Sequence, residues 1–334
     1  MFIIDNYILA VLFCFITMIC WGSWANTQKL ASQKWPFQLY YWDYTLGILL
    51  ITLLFGFTLG SIGDQGRGFV DDFQQAEMTS VTSAFIGGII FNFANLILVI
   101  AIEIAGMAIA FPIGIGIALV LGVFTNYIAQ PEGDPLVLFI GVTLVAVAIL
   151  IDGIAYKKIL QKSNDNPLKG ILFSALAGIA MGFFYKYVAA SMVTDFIMPE
   201  PGKLTPYTAL VIFSIGIFVS SFLFNTINMY SPFSGEKVTF RDYFTMGNTK
   251  LHMIGILGGV IWGVGMAFNI IASEQAGPAI AYGLGQGATL VAAIWGVFIW
   301  KEFKDLPSNS YWLIPLMFLL FVTGISTIIA AKLI

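Results

Sequence analysis

Apolar stretches of about 20 residues, the length a helix needs to cross a bilayer's hydrocarbon core, alternate along this chain with short polar or charged punctuation. Ten such windows run roughly 7–28, 38–60, 80–102, 107–129, 136–156, 168–190, 207–229, 250–272, 277–299 and 311–331. The connections are short and leave no room for a soluble domain. The two longest, 61–79 and 230–249, can each carry a small interfacial helix. Backbone polar groups inside lipid must be satisfied within the spanning segment, which predicts helices for all ten windows.

Composition agrees with the pattern. The 334 residues are 59% hydrophobic and 10% charged, and the mean hydropathy is +0.90, well outside the range of soluble domains. The first window is read as a spanning helix and not as a cleaved leader. Met1 to Asn6 carries Asp5 and no basic residue, and no small-residue cleavage site precedes the polar NTQK. Cys14 and Cys20 lie six apart on that helix and cannot bridge each other.

Orientation is read from Lys and Arg in short loops. With the N-terminus outside, the loops after windows 1, 3, 5, 7 and 9 are cytoplasmic. They and their flanks hold Lys29, Lys34, Lys157, Lys158, Lys162, Lys169, Lys237, Arg241, Lys250, Lys301 and Lys304, against Arg67, Lys203 and Lys332 on the other side. Both termini are therefore expected outside, in a multi-pass membrane protein.

The basic linker 158–167 sits at the midpoint, and a repeat is visible across it. A shift of 171 residues lays IGGII (86–90) on LGGVI (257–261), Glu103 on Glu274, and AGMAIA (105–110) on AGPAIA (276–281). Gly114 and Gly116 fall on Gly285 and Gly287. Each half, 1–157 and 168–334, holds five spans, and an odd number makes the second half enter the membrane inverted. The expected fold is all-α membrane: ten transmembrane helices as two inverted-topology five-helix repeats. That architecture belongs to alternating-access carriers with a site near the midplane.

Polar residues inside the windows carry the candidate chemistry. Gln286 lies in a glycine-rich window, and an amide in hydrocarbon must be paired or face water. It serves either an interhelical hydrogen bond or a substrate. Asn92 and Asn95 share a face of the third window, and Trp262 and Asn269 share a face of the eighth. Amides offer donor and acceptor to a neutral solute with NH and C=O or OH groups, and a tryptophan face stacks on a flat ring. The plainer reading makes these residues helix-packing contacts. Tyr282 completes the candidate substrate set. Asp43, Glu103 and Glu274 are candidates for coupling or gating, because an intramembrane acid is a functional candidate by default. The plainer alternatives are pairing of Asp43 with Lys29 or Lys34, and helix capping by Glu274. His252, the single histidine, has no partners spaced for a metal. No nucleophile and base pair is evident, and no cofactor, metal or nucleic-acid partner is expected. A homodimer is left open.

The segments YYWDYTLGILLITLLFGFTLGSIG (40–63), GGIIFNFANL (87–96) with AGMAIAFPI (105–113), LFNTINMYSPFSG (223–235), and GGVIWGVG (258–265) with AAIWGVFIWKEF (292–303) resemble the ureide permease family. This family lies in the drug/metabolite transporter superfamily near the bacterial glucose and ribose uptake group. The resemblance covers nearly the whole chain. It implies ten helices in two inverted halves, a central cavity and secondary active transport. The similar plant proteins move allantoin, uracil, xanthine and related oxo-heterocycles with protons. The present chain lacks their extended central loop, and Phe111 stands where their equivalent segment has an acidic residue.

The leading expectation is proton-coupled uptake of small polar metabolites such as ureides or nucleobases. The alternatives are uptake of a monosaccharide (glucose, ribose or rhamnose-like), metabolite export, and a non-transporting receptor or scaffold. A scaffold has no need of intramembrane amides.

Overall fold

A computed structural model describes residues 1–31, 34–105, 107–159, 167–232 and 236–334, with no β-strand among them. Fourteen α-helices follow one another among these residues: α1 (Tyr7–Ser23), α2 (Ala25–Ala31), α3 (Phe37–Phe57), α4 (Phe69–Gln75), α5 (Met78–Ala105), α6 (Met107–Ala129), α7 (Pro135–Ile159), α8 (Pro167–Ser191), α9 (Pro206–Tyr230), α10 (Phe240–Thr245), α11 (Thr249–Ala276), α12 (Pro278–Gln286), α13 (Ala288–Ile294) and α14 (Leu313–Ala330). Ten segments among the described residues are long and apolar enough to cross a membrane. α1 and α2 together make the first, and α12, α13 and a π-helical turn over Trp295–Ile299 make the ninth. The two long connections each hold one short helix, α4 and α10.

Local chemistry sets the helix ends. Asn6, Asn248 and Asp134 accept from the backbone N–H of Leu9, Leu251 and Val137 at 2.9, 3.1 and 2.8 Å, satisfying donors that the first turn leaves free. Thr239 and Asp242 form a reciprocal capping box that starts α10. Pro206 and Pro278 begin α9 and α12, where a missing N–H costs nothing. Between α11 and α12 the chain turns at Gly277, whose φ of +82° suits a residue without a side chain.

α3 and α11 lie inside the bundle, with tyrosines and small residues buried on several faces. α11 packs on α3 and α1, α5 on α8 and α9, and α14 on α7. Isoleucines, leucines and phenylalanines exposed along α1, α7, α8 and α14 form the outer surface, as lipid-facing positions do.

Loops and termini sort to two ends. At the terminal end the Met1 ammonium donates to Gln65 O, and Tyr207 Oη donates to Phe2 O at 2.9 Å. There Asp72 is fully buried: it accepts from Arg67 Nε at 2.7 Å, Thr205 N at 2.8 Å and Thr205 Oγ1 at 3.0 Å. Glu132 pairs with Lys332 at the same end. The opposite end, called the loop end below, carries α2, α10, the start of α11 and the π turn.

Candidate functional site

A cavity of about 670 Å³, part of it open to solvent, lies among α1, α5, α6, α8, α11, α12 and α13. Its aromatic wall includes Trp21, Trp24, Phe91 and Trp262, and its polar positions are Asn95, Gln286 and Thr289. Trp21 and Trp262 stack with centroids 5.8 Å apart and planes within 11°, and Trp21 Nε1 donates to Trp262 O at 3.3 Å. Phe91 lies against Trp262 at 4.4 Å.

The broken ninth span supplies the amide. α12 ends at Gln286 and α13 begins at Ala288, so Gln286 stands at a helix interruption beside the cavity, an arrangement that frees polar groups for a solute. Gln286 makes no side-chain hydrogen bond within the protein among the described residues, although it is mostly buried. Gly285 explains part of the glycine content here. A Cβ on it would stand 2.7 Å from the Trp21 ring and 3.0 Å from Asn269 Nδ2, so only a hydrogen lets Trp21 lie over this helix.

Asn95 is held from behind. Its Nδ2 donates to Tyr41 Oη at 3.1 Å, Tyr41 Oη donates to Asn92 Oδ1 at 2.8 Å, and Asn92 Nδ2 donates to Ser220 Oγ at 2.8 Å. The chain of bonds runs from the cavity wall through α3 to α9 and fixes the Asn95 amide plane. Its carbonyl oxygen has no hydrogen-bond partner among the described residues, and Asn95 lines the cavity.

Three residues of the six-residue substrate set, Asn95, Trp262 and Gln286, thus come together on one wall. The other three sit elsewhere. Asn92 is wholly engaged in the network behind Asn95. Asn269 donates to Ala281 O at 2.7 Å, stitching α11 to α12. Tyr282 is fully buried, and its hydroxyl lies 3.2 Å from both Ala118 O and Met181 O. Its ring packs edge-on against Tyr185, with centroids 5.4 Å apart.

The acids lie off this wall. Asp43 is buried at the loop end. Trp35 Nε1 donates to its Oδ2 at 3.0 Å, Tyr243 Oη donates to its Oδ1 at 2.5 Å, and His252 Nδ1 stands 3.0 and 3.1 Å from its two oxygens. Of the two lysines offered as partners, Lys29 pairs instead with Glu302 at 2.5 Å. Burial and the Asp43 carboxylate together hold the Tyr243 phenol well above its usual range. Glu274 lies at the far end of α11, where Oε1 accepts from Phe196 N at 2.6 Å and Oε2 is buried with no partner among the described residues. Glu103 is on α5, but its side chain lies outside the described residues, as do residues 160–166 of the linker.

Sequence reasoning missed the vestibule. A second chamber of about 1180 Å³ shares Trp21, Trp24, Phe111 and Ala292 with the first and opens at the loop end past Lys29 and Glu302. Its mouth is clamped by Trp295 Nε1 donating to Ser23 Oγ at 2.9 Å and Trp300 Nε1 donating to Asn26 Oδ1 at 2.6 Å. Asp152 also lines it. An aspartate within the fifth window was a visible signal that went unused.

Among the described residues, ten apolar spans around an amide-and-tryptophan cavity that opens at one end describe a multi-pass integral membrane permease. Comparison with known proteins gives the family: the ureide permease model matches residues 40–169 and 154–331, and the chain belongs to this family. It is similar to ureide permease 1 of Arabidopsis thaliana, 23% identical with 99% of each chain covered, and to ureide permease 2 of the same plant, 21% identical over 99% of each. It is also similar to the probable glucose uptake protein GlcU of Staphylococcus epidermidis, 24% identical over 78% of this chain and 79% of that one. A solved structure described only as "Crystal structure of protein" matches with a TM-score of 0.61 at 12% identity, over 97% of this chain and 96% of the other, and shares the fold. The chain is a membrane transporter of small metabolites and not an enzyme.

Proposed function

We propose that this protein takes up small, flat metabolites bearing NH and C=O groups, ureides or nucleobases, together with protons. One observation carries the substrate class: the Asn95 carbonyl oxygen, not used by the Tyr41 contact of its amide nitrogen, and the Gln286 amide line the cavity beside the Trp21 and Trp262 rings. An oxo-heterocycle satisfies both kinds of group at once, by edge-on hydrogen bonds and ring stacking. The names of the plant relatives point the same way.

Transport proceeds by alternating access of two inverted halves, 1–157 and 168–334. The basic loop end faces the cytoplasm of a bacterial cell and both termini lie outside, so the cavity described above is open inward. Asp43 and Glu274 act as gates at opposite ends of α11. The stretch from His252 to Glu274 measures about 33 Å as a helix, enough to span the hydrocarbon core. Glu103 is the pseudo-symmetric mate of Glu274.

A monosaccharide is the second reading. The largely aromatic wall suits the apolar face of a pyranose, and one relative is named a probable glucose uptake protein. Thermal stability of the purified protein, scanned against allantoin, uracil, xanthine, glucose, ribose and rhamnose, separates the two, because a ligand that binds the native state raises the melting point. A shift with the heterocycles alone supports the first reading, and a shift with sugars alone replaces it by the second.

A further inference from the structure

The vestibule wall holds a group for which neither the substrate site nor the gates account. Asp152 projects from α7 into the chamber between the substrate cavity and the mouth. Its Oδ1 is buried and has no hydrogen-bond partner among the described residues. One turn on, Tyr156 Oη donates to Glu302 Oε2, and Glu302 Oε1 is held by Lys29 at 2.5 Å. Lys29 also lies over the Trp300 ring, 4.2 Å from its centroid.

The backbone around Glu302 is shaped for this contact. The π turn Trp295–Ile299 precedes it, Lys301 adopts a left-handed φ of +53°, and Glu302 N donates back to Gly296 O at 2.9 Å. π turns and left-handed non-glycine residues cost energy and concentrate at functional sites. A Cβ on Gly296 would stand 3.0 Å from both Tyr156 Oη and Glu302 Oε2. The glycine therefore leaves the space in which phenol and carboxylate meet.

Among the described residues, the ionisable groups lining the vestibule are Lys29 from α2, Asp152 and Tyr156 from α7, and Glu302 after the π turn, with none from α1, α6 or α13. Lys29 is committed to Glu302 and Trp300. A buried carboxylate oxygen with no donor and an acidic neighbour is costly as an anion, and a proton removes that cost. We propose that Asp152 is the proton-binding site of the carrier, with the Tyr156–Glu302–Lys29 chain setting its proton affinity.

The step is a simple association. A proton from water adds to the Asp152 carboxylate on one side of the membrane and returns to water on the other, with no other bond made or broken. When the mouth closes, a protonated Asp152 can be sealed in as a neutral acid, whereas a bare carboxylate would be buried without a counter-charge. Closure thereby depends on the proton. The inference rests on the proton-coupled reading above and adds the residue that performs it.

Two readouts on the full-length protein test it. Infrared pH titration of the reconstituted protein detects a protonated carboxylic C=O without any substrate. Wild type should show a titrating band that is lost in Asp152→Asn and shifts in midpoint in Glu302→Gln. In proteoliposomes, accumulation of radiolabelled uracil driven by a pH gradient should be lost in Asp152→Asn, and the exchange that remains should no longer vary with pH. Asp152→Glu should restore a pH-dependent flux with a displaced midpoint. A full infrared band and wild-type pH dependence in Asp152→Asn would overturn the assignment. If Asp152→Asn does not fold, an unmoved midpoint in Glu302→Gln overturns it instead. Uracil transport in wild type that ignores pH would overturn proton coupling and this site together. Absence of uracil transport would count against the nucleobase reading alone, since the infrared band still decides Asp152.

Discussion

His252 Nδ1 stands 3.0 Å from Asp43 Oδ1, joining the first turn of α11 to the second turn of α3 at the loop end. With Trp35 and Tyr243 also donating, one carboxylate ties together α3, α11, the α2–α3 connection and interfacial α10. Charged acceptors make the stronger hydrogen bonds in proteins, and a buried donor left without its partner costs its desolvation. Asp43→Ala should therefore destabilise the protein by about 3 kcal/mol. His252→Ala should cost less, because its ring is partly exposed. Thermal unfolding of the two variants in one detergent checks the order.

The Tyr243 phenol predicts an alkaline limit. Burial and the Asp43 carboxylate raise its folded-state pKa above the unfolded value, which is about 10. A group raised in this way contributes stability that is fully present below the unfolded pKa and is lost as pH rises toward the folded one. Melting temperature should begin to fall above about pH 10, and Tyr243→Phe should remove that part of the fall. An identical alkaline profile in the variant would show that Tyr243 does not contribute.

Asp72 supports the same logic at the terminal end, where no substrate is expected. It is fully buried and accepts from Arg67 and twice from Thr205, pinning α4 to the start of α9. Removing one partner of a buried ion pair costs about 3–5 kcal/mol. Asp72→Ala should lower the melting point markedly, with Thr205→Val intermediate. Ligand affinity per folded molecule should stay at the wild-type level in both.

The substrate wall predicts a separation of affinity from stability. Asn95→Ala and Gln286→Ala each remove a group that faces the cavity, and each should weaken binding by about 1–1.5 kcal/mol, roughly tenfold. Gln286→Ala should leave the melting point of the empty protein nearly unchanged, since its side chain has no hydrogen-bond partner among the described residues. Asn95→Ala should lower it slightly, because Tyr41 loses a neighbour. Gly285→Ala drives a methyl into Trp21, and overpacking of this kind costs about 1–3 kcal/mol. It should reduce both stability and binding.

Much of the architecture was legible in the chain because hydrophobic length alone decides where a helix can span. The window 38–60 became Phe37–Phe57 and 136–156 became Pro135–Ile159, and both long connections carry the short helices for which they had room. Gln286, Trp262 and Asn95 stood out because an amide or indole inside an apolar run needs a reason. Asn92 and Tyr282 stood out equally, yet each is engaged by protein groups. A sequence does not distinguish an amide facing water from one facing serines on a neighbouring helix. The plainer alternative for Asp43, pairing with Lys29 or Lys34, is replaced for a related reason: the lysines are nearer along the chain, but His252, 209 residues away, is its neighbour in space. Trp21, Trp24 and Asp152 went unremarked because the cavity they line exists only after α1, α7 and α13 pack together. The inverted relation of the halves rests on the repeat in the sequence.

The most direct test of the account is counterflow of radiolabelled uracil in proteoliposomes, comparing wild type with Gln286→Ala at several substrate concentrations. Wild type should show saturable uptake, competed by allantoin and xanthine and not by glucose, with a half-saturating concentration roughly tenfold higher in Gln286→Ala. Saturable uptake with the same half-saturation in both proteins would contradict the assignment of the cavity as the substrate site.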